Sequence, residues 1–496
     1  MANALDRRGI FWWFQATNKQ TSSLETGIPG HLTISEEGHI RLQLDGPLWF
    51  EDPKPSLRWD SSRWLSDECK IAGQLIDEDK PYVLLLRLFR TDFSLAADKP
   101  IRQSYEADQC LATDTTFPQN FDLERFQALR IDLAGLEEWL QLDSIQVESE
   151  FPSGDRTEAK VSYKNHKFTY ETPTASVIVE NLILGMPLFF LSNGAMREIN
   201  IHQTNWLIYR PKALSIMTHL DTAFVRMEEF IALLLGRYFR LDWPYFVCTN
   251  DNIESWYRFY SLRGARGEQL SWSIFLWTSF PSLQDVFGSL LVRWQEIAER
   301  HGASCRLYIS SLRNPHSQPE HEFVNLVWAM ESLHRSWQRG ANESIETTQR
   351  RAKIEAVLDR FANSEDKKLR KWLEGKLKYA YEPSLEDRIV EVLSRLPIRI
   401  ETDQLRSFAK QCAKRRNEIS HEGGAPQGED AEIFQAEIRK LAEALRHLFH
   451  AALLHEIGVG PEIIVTAVTH STIATRDILP ALEGVGINLW ASDPLP

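Results

Sequence analysis

Two patterns of alternation divide the chain. Up to about residue 215, apolar and polar residues mostly alternate singly, the period of a strand with one buried face. HLTI at 31–34 and HIRLQLDG at 39–46 keep that period on either side of an EEG turn, which predicts a hairpin. CKIAGQLID (69–77) and YVLLLRLF (82–89) predict two more strands, the second apolar enough to be buried on both faces. AKVSYKN, KFTYE, ASVIVENLIL and REINIHQ continue the series, with one helical interruption at Leu136–Leu142 whose Trp139 reads as a packing anchor. Apolar residues then recur at three and four between His219 and Phe239, a core helix. Strands are expected again at PYFVCT (244–249), WYRFYSL (256–262) and SCRLYIS (304–310), with a helix at Leu283–Arg300. In WYRFYSL, Arg258 and Arg263 interleave with tyrosines, either as a stacking surface for bases or as the polar face of an ordinary strand.

The stretch 311–322, SLRNPHSQPEHE, reads as a linker, and beyond it the helical period takes over. Phe323, Leu326, Val327, Met330, Leu333 and Trp337 make one stripe. Helices are expected at Arg350–Phe361, Lys367–Tyr381, Leu385–Leu396, Thr402–His421 and Asp430–Ile457, joined by short loops as in a bundle. The fold class is therefore α+β: a β-rich, sandwich-like region over 1–310, an all-α bundle over 319–457, and a tail over 458–496 holding a strand-like EIIVTAVTH.

Composition narrows the partners more than the fold. A hydrophobic content of 43% and a charged content of 25% are those of an ordinary globular protein. The net charge of −13 argues against a whole-surface nucleic-acid binder and leaves room for a local basic patch. The acid excess lies mainly before the bundle, which is nearly neutral. The five cysteines are scattered, without a CxxC pair, which argues against a zinc ribbon or a disulfide framework and suits a reducing compartment. No metal box or cofactor motif is present, and none is expected. MANALDRRGIFWWF lacks the apolar core of a signal peptide, and Val177–Leu191 is too short and too interrupted to cross a bilayer. The expectation is a cytoplasmic protein without a membrane partner.

Chemistry concentrates in QLRSFAKQCAKRRNEISHEGG, residues 404–424. Leu405, Phe408, Cys412 and Ile419 fall at helical spacing, and Arg416 is placed on the same stripe. His421 falls in the last turn before Gly423-Gly424 stops the helix. An arginine toward a packing face needs an anionic partner. The bland reading is a pair with a bundle carboxylate, with His421 as a simple cap. The sharper reading is phosphodiester chemistry: imidazole, which ordinarily titrates near ~6.5, as general base or acid, and guanidinium against the crowded phosphate. Five helical residues turn through about 140° and rise about 7.5 Å, so one chain brings Arg416 and His421 together only if the last turn unwinds. Otherwise a second copy of the helix completes the site. The same spacing at Arg197/His202 lies in a strand pattern and points the two side chains to opposite faces.

R-N-x-x-x-H at a helix end within a helical bundle resembles the HEPN domain, with Arg416, Asn417 and His421 at the motif positions. FVNLVWAMESLHR (323–335), including Glu331, resembles the first helix of the ApeA-like HEPN subfamily. GIFWWF, GHLTISEEGHIRLQLDG and FQALRIDLAGLEEWL resemble the N-terminal domain that accompanies it, so the resemblance spans about residues 8–457. It implies a bacterial anti-phage defence protein acting as a metal-independent endoribonuclease. It also implies a homodimer or higher even oligomer through the bundle, with RNA as substrate and infection as the trigger. Asn417 would orient its neighbours, and Glu331 would bond Arg416 or His421 or else pair with Arg335. Lys410, Lys414 and Arg415, and the cluster Lys367, Lys368, Arg370 and Lys371, are candidates to hold the RNA backbone. The acidic N-terminal region would recognise a phage-derived protein or restrain the nuclease. Two rivals stay open: a non-catalytic HEPN scaffold that dimerises and binds RNA or nucleotide, and a β-sandwich ligand-binding protein that uses its tryptophans.

Overall fold

A computed structural model describes residues 3–14, 27–48, 65, 69–93, 103–118, 121–150, 158–188, 198–250, 253–263, 276–314, 317–338, 345–360, 367–377, 380 and 382–489. The chain forms two compact units, Met1–Glu228 with Phe239–Gln269, and Glu229–Tyr238 with Leu270–Pro496.

The strands belong to the first unit. In chain order they are β1 (Asn3–Trp13), β2 (Ile28–Ser35), β3 (Ile40–Leu44), β4 (Ile71–Leu75), β5 (Tyr82–Phe93), β6 (Gln103–Thr113) and β7 (Ala128–Asp132). After the short helix α1 (Glu137–Leu140) come β8 (Ile145–Glu150), β9 (Glu158–Tyr163), β10 (Lys167–Glu171), β11 (Ala175–Leu188) and β12 (Glu198–Pro211). Helix α2 (Met217–Leu235) precedes β13 (Tyr245–Asn250) and β14 (Ile253–Ser261).

The predicted hairpin is β2–β3, paired with Leu32 opposite Leu42 and Ile34 opposite Ile40. The sheet runs β6-β3-β2-β1-β4-β5, and β5 pairs back onto β6, so these six antiparallel strands close a barrel. Closure removes the exposed sheet edges that an open sheet would leave. Alternate residues point inward and fill it, among them Phe11, Leu32, Leu42, Ile71, Val83 and Tyr105. Gly73 makes room for the first of these: a Cβ there would lie 2.4 Å from Phe11 Cδ1. From β6 the sheet continues through β14, β13, β7, β12 and β11 to β10, while β8 and β9 form a separate pair. Arg258 donates to Asp242 at 2.7 Å, and Arg263 pairs with buried Glu228 while lying over Phe224 and Trp243. The arginine–aromatic alternation of β14 is thus used within the unit.

The second unit is helical. It contains α3 (Phe280–Leu283), α4 (Phe287–Arg300), α5 (Gly302–Arg313), α6 (Pro319–Gln338), α7 (Ile345–Arg360), α8 (Lys367–Leu377) and α9 (Leu385–Leu393). It continues with α10 (Thr402–Glu422), α11 (Ala431–Ile457), α12 (Pro461–Thr469), a π-helical turn at Ala474–Ile478 and α13 (Leu479–Glu483). Helix α6 is central: it packs on α5, α9, α10 and α11, and Phe323, Leu326, Val327, Met330 and Leu333 are fully buried. Truncating any one of these to alanine would cost about 2–5 kcal/mol.

Two segments expected as strands are helices. In SCRLYIS the alternation of Cys305, Leu307 and Ile309 suggested a strand. The buried positions of α5 are instead Ser304, Cys305, Tyr308, Ile309, Ser311 and Leu312, at helical spacing, because two serines are small enough to sit on the packed face. EIIVTAVTH is β-branched by composition, but Pro461 opens a helix there and Ile464, Ala467 and Val468 are buried at i, i+3, i+4. Tertiary packing overrides the local preference in both. The α+β class, a β-rich region followed by helices, is as expected, and the strands take the curved, closed form. Among the described residues, no helix is long and apolar enough to cross a membrane.

Candidate active site

Helix α10 is held by Leu405, Phe408, Ala409 and Cys412, all buried. It ends where Gly423 enters the left-handed region at φ 79°, its N–H donating to the carbonyl of Ile419 at 3.1 Å. The two adjacent arginines near its end have different surroundings. A one-residue step rotates a side chain by about 100°, enough to exchange core for rim.

Arg415, expected to be open to RNA, takes the packed position. It is 5% exposed, donates to Glu429 through two bonds at 2.8 and 2.6 Å, to Glu418 at 2.8 Å, and to Glu437 as well. Its guanidinium lies over the Phe434 ring. The bonds to Glu429 and then Glu437 hold its pKa above the ordinary guanidinium value. Its donors are committed to three carboxylates of the fold rather than left open at the surface. Spacing carries the reason: Phe408, Cys412, Arg415 and Ile419 make the better stripe.

Arg416 is on the rim, with about a quarter of its side chain exposed. One terminal nitrogen donates to Asn417 Oδ1 at 3.1 Å, the other lies 3.8 Å from Glu331 Oε2, and the buried Nε has no hydrogen-bond partner. Glu331 serves three guanidiniums. Its Oε1 is 3.0 Å from Arg335 and 3.4 Å from Arg388; the Arg335 contact is the short one, and Arg416 stands beyond hydrogen-bond length. Arg388, 3% exposed, is anchored by Glu382 at 2.5 Å and by the carbonyl of Pro383 at 3.0 Å. No local pattern in the chain points to it, because α9 and α6 meet only in the fold.

Asn417 and His421 are exposed, and α10 stays helical through Glu422. The last turn is therefore wound, and one chain presents Arg416 and His421 about 140° apart. Lys410 and Lys414 are exposed, Lys414 lying 3.7 Å from Glu418. Lys368 and Lys371 are exposed on α8, near Trp372; the side chains of Lys367 and Arg370 lie outside the described residues. Arg197 also lies outside them, and His202 is exposed on β12.

A cavity of about 500 Å³ opens beside Arg416. It is walled by the α4–α5 junction and by a stripe of α6 that contains Trp328, Glu331 and Arg335. Trp328 is 43% exposed. An aromatic off the buried stripe of an amphipathic helix was a signal available in the sequence.

His447 and His450 of α11 are packing groups. His450 is buried, bonded to Tyr308 Oη through Nδ1 at 2.5 Å and packed against Trp277. Burial drops its pKa to about 3 and that of His447 to about 4. Among the described residues, no group of three or more His, Cys, Asp or Glu side chains is placed to hold a metal ion.

Two family models match the chain: ApeA N-terminal domain 1 over residues 7–294, and Apea-like HEPN over residues 324–462. No curated protein and no solved structure matches it.

Proposed function

The chain belongs to the ApeA family of anti-phage defence proteins with a C-terminal HEPN domain, and from that premise we propose that it is a metal-independent endoribonuclease. Its catalytic groups are Arg416, Asn417 and His421. The observation that carries this reading is the contrast between neighbours: Arg415 has its donors committed internally, whereas Arg416 stands at a cavity with its Nε unpartnered.

The reaction is transfer of the phosphodiester onto the ribose. A base removes the proton of the 2′-OH, the 2′ oxygen bonds to phosphorus, and the bond from phosphorus to the 5′ oxygen breaks as an acid protonates that oxygen. The products are a 2′,3′-cyclic phosphate end and a 5′-hydroxyl end. His421 supplies the proton transfer, a contribution of about 10²–10⁴-fold for a well-placed group. Arg416 faces the charge that builds on the phosphorane, where one preorganised donor contributes about 10²–10³-fold. Asn417 Oδ1 fixes the Arg416 fork. Nothing in these steps calls for a metal ion.

Because α10 is wound through Glu422, the site is composite: two copies of the bundle, related by two-fold symmetry, set Arg416 of one protomer beside the partner subunit's His421. Mixing tests this. Arg416→Ala and His421→Ala chains are each inactive, and co-expressed together they regain cleavage, since a mixed dimer keeps one intact pair. Absence of regain in a confirmed mixed dimer would refute the composite site. Exposed Lys410 and Lys414, with Lys368 and Lys371, track the RNA backbone, and their loss lowers affinity and the salt slope together.

The β-rich region senses a phage-derived protein or restrains the nuclease in this cytoplasmic defence system. Its acidic excess and its lack of a reactive constellation in the sequence motivate that role. Phage variants that escape protection should map to one product that binds the wild-type chain; escape variants with unaltered binding would remove the idea. The scaffold reading draws on the same winding of α10, which leaves one chain without an assembled site. It requires that His421→Ala retain every activity of the wild type.

A further inference from the structure

Three features converge on the cavity beside Arg416 and, Arg416 itself apart, are unused by the reading above. The first is a set of unpartnered buried polar atoms. His301, at the α4–α5 junction, is 3% exposed and lines the cavity, and neither ring nitrogen has a hydrogen-bond partner. Its nearest carboxylate oxygen, Glu456 Oε1, is 3.9 Å away, beyond hydrogen-bond length. Arg416 Nε is a third such atom on the same cavity. Buried polar groups are nearly always bonded, so three bare ones around one space mark a place where a ligand supplies the partner.

The second feature is the start of α5. This helix is twelve residues long and begins at Gly302, and no side chain caps it. Gly302 and Ala303 both line the cavity. The first N–H groups of a helix have no partner within it and lie at its positive end, where an anion is favoured. Arg300 and Arg335 join Arg416 on the wall, against the single carboxylate of Glu331, so the cavity is cationic on balance.

The third feature is Trp328, which lines the cavity with 43% of its surface exposed. A flat apolar ring beside a cationic wall suits a ligand with an aromatic face and a phosphate. Burial holds the His301 imidazole below its ordinary pKa against the opposing pull of Glu456, with Arg300 adding to the lowering. The ring is then neutral, with one N–H to donate and one nitrogen to accept.

We propose that this cavity is a nucleotide subsite of single-stranded RNA, next to the bond that is cut. Trp328 stacks the base, and His301 with the start of α5 takes the neighbouring phosphate. This rests on the ribonuclease reading and extends the site into residues 300–303, outside the stretch matched as HEPN. Only the bundle side of such a site falls within 324–462.

The test is binding, kept apart from cleavage. A short single-stranded RNA, 2′-O-methylated throughout so that it has no attacking hydroxyl, is titrated against the full chain by fluorescence anisotropy. Trp328→Ala should weaken binding about ten-fold and Trp328→Phe should restore it to within about three-fold, because the phenyl face keeps the stack. His301→Ala should weaken it about five-fold. Thermal unfolding checks that each variant is folded; Trp328→Leu, which removes the flat face, and His301→Gln serve where an alanine is not. Binding by Trp328→Ala equal to wild type, or weakening that Phe does not restore, overturns the subsite. Failure of the wild type to bind the oligonucleotide overturns it as well. Cleavage of unmodified RNA separates the two claims. If His421→Ala abolishes cleavage while Trp328→Ala binds normally, the nuclease reading stands and the subsite falls. If binding depends on Trp328 but the wild type cleaves nothing, the subsite stands on a scaffold.

Discussion

Replacing Arg415 and Arg416 one at a time should separate stability from activity at adjacent positions. Arg415 makes four short hydrogen bonds to Glu418, Glu429 and Glu437 and is 5% exposed. Its removal leaves three carboxylates facing one another without their cation. Breaking a buried ion pair from one side costs about 3–5 kcal/mol. Here the carboxylates keep some contact with water, between 13% and 34% of their side-chain surface. Solvent screening brings the cost to the bottom of that range and below it, about 2–3 kcal/mol. For a unit of this size each kcal/mol moves the melting temperature by about 2–4 °C, so Arg415→Ala should melt about 4–12 °C below wild type. Arg416 has one long ion pair at 3.8 Å and one bond to its neighbour. Such a partly exposed pair contributes about 0–1 kcal/mol, and Arg416→Ala should melt close to wild type. Its RNA cleavage should nevertheless fall at least about a hundred-fold. The assay is far-UV circular dichroism on heating, run beside cleavage of the same preparations. Melting of Arg415→Ala with the wild type, or unfolding of Arg416→Ala in its place, would refute the division of roles.

Other outcomes follow from the same geometry. His447 and His450 are held neutral by burial, with folded pKa values of about 4 and about 3 against an ordinary ~6.5. The unfolded chain binds the extra protons, so stability is full above about pH 6.5 and falls as the pH drops toward 4. Each histidine contributes about 1.4 kcal/mol per pH unit, and His450→Phe should flatten the urea-denaturation profile there; an unaltered slope would contradict the assignment. Gly423→Ala should cost about 1 kcal/mol, since a Cβ there meets nothing within 4 Å and only the φ of 79° is unfavourable. A much larger loss in chemical denaturation would mean a contact at the helix end that the structure lacks. Glu331→Gln removes the charge shared by Arg335, Arg388 and Arg416, and cleavage should fall about 10- to 100-fold through misplacement of Arg416, mainly in kcat. An unchanged kcat would end its positioning role.

The hairpin β2–β3 and the stripe of α6 were legible because each side chain's partner lies in a repeating local pattern. Barrel closure was not, because the pairing of β5 with β6 adds no new local pattern to either strand. Helices α5 and α12 were misread where alternation or β-branching outweighed the burial of small residues. The helix end with Arg416, Asn417 and His421 was visible as a motif. Which of two adjacent arginines faces the core turned on one residue of phase, and the glutamates that hold Arg415 lie before, within and after a loop. Residues 300–303 stand more than a hundred positions before Arg416, and no period in the chain connects them. Only packing of α5 and α10 on α6 brings them to one cavity.

The most direct test is to sequence the ends of RNA fragments from phage-challenged cells that carry either the wild-type chain or His421→Ala. In that setting the trigger is present whatever its identity. The expected result is a set of new fragments ending in 2′,3′-cyclic phosphate in wild-type cells alone, and the purified wild type should reproduce them with chelator present. Equal fragments in both cells, or fragments ending in 3′-hydroxyl, would contradict cleavage by this helix end.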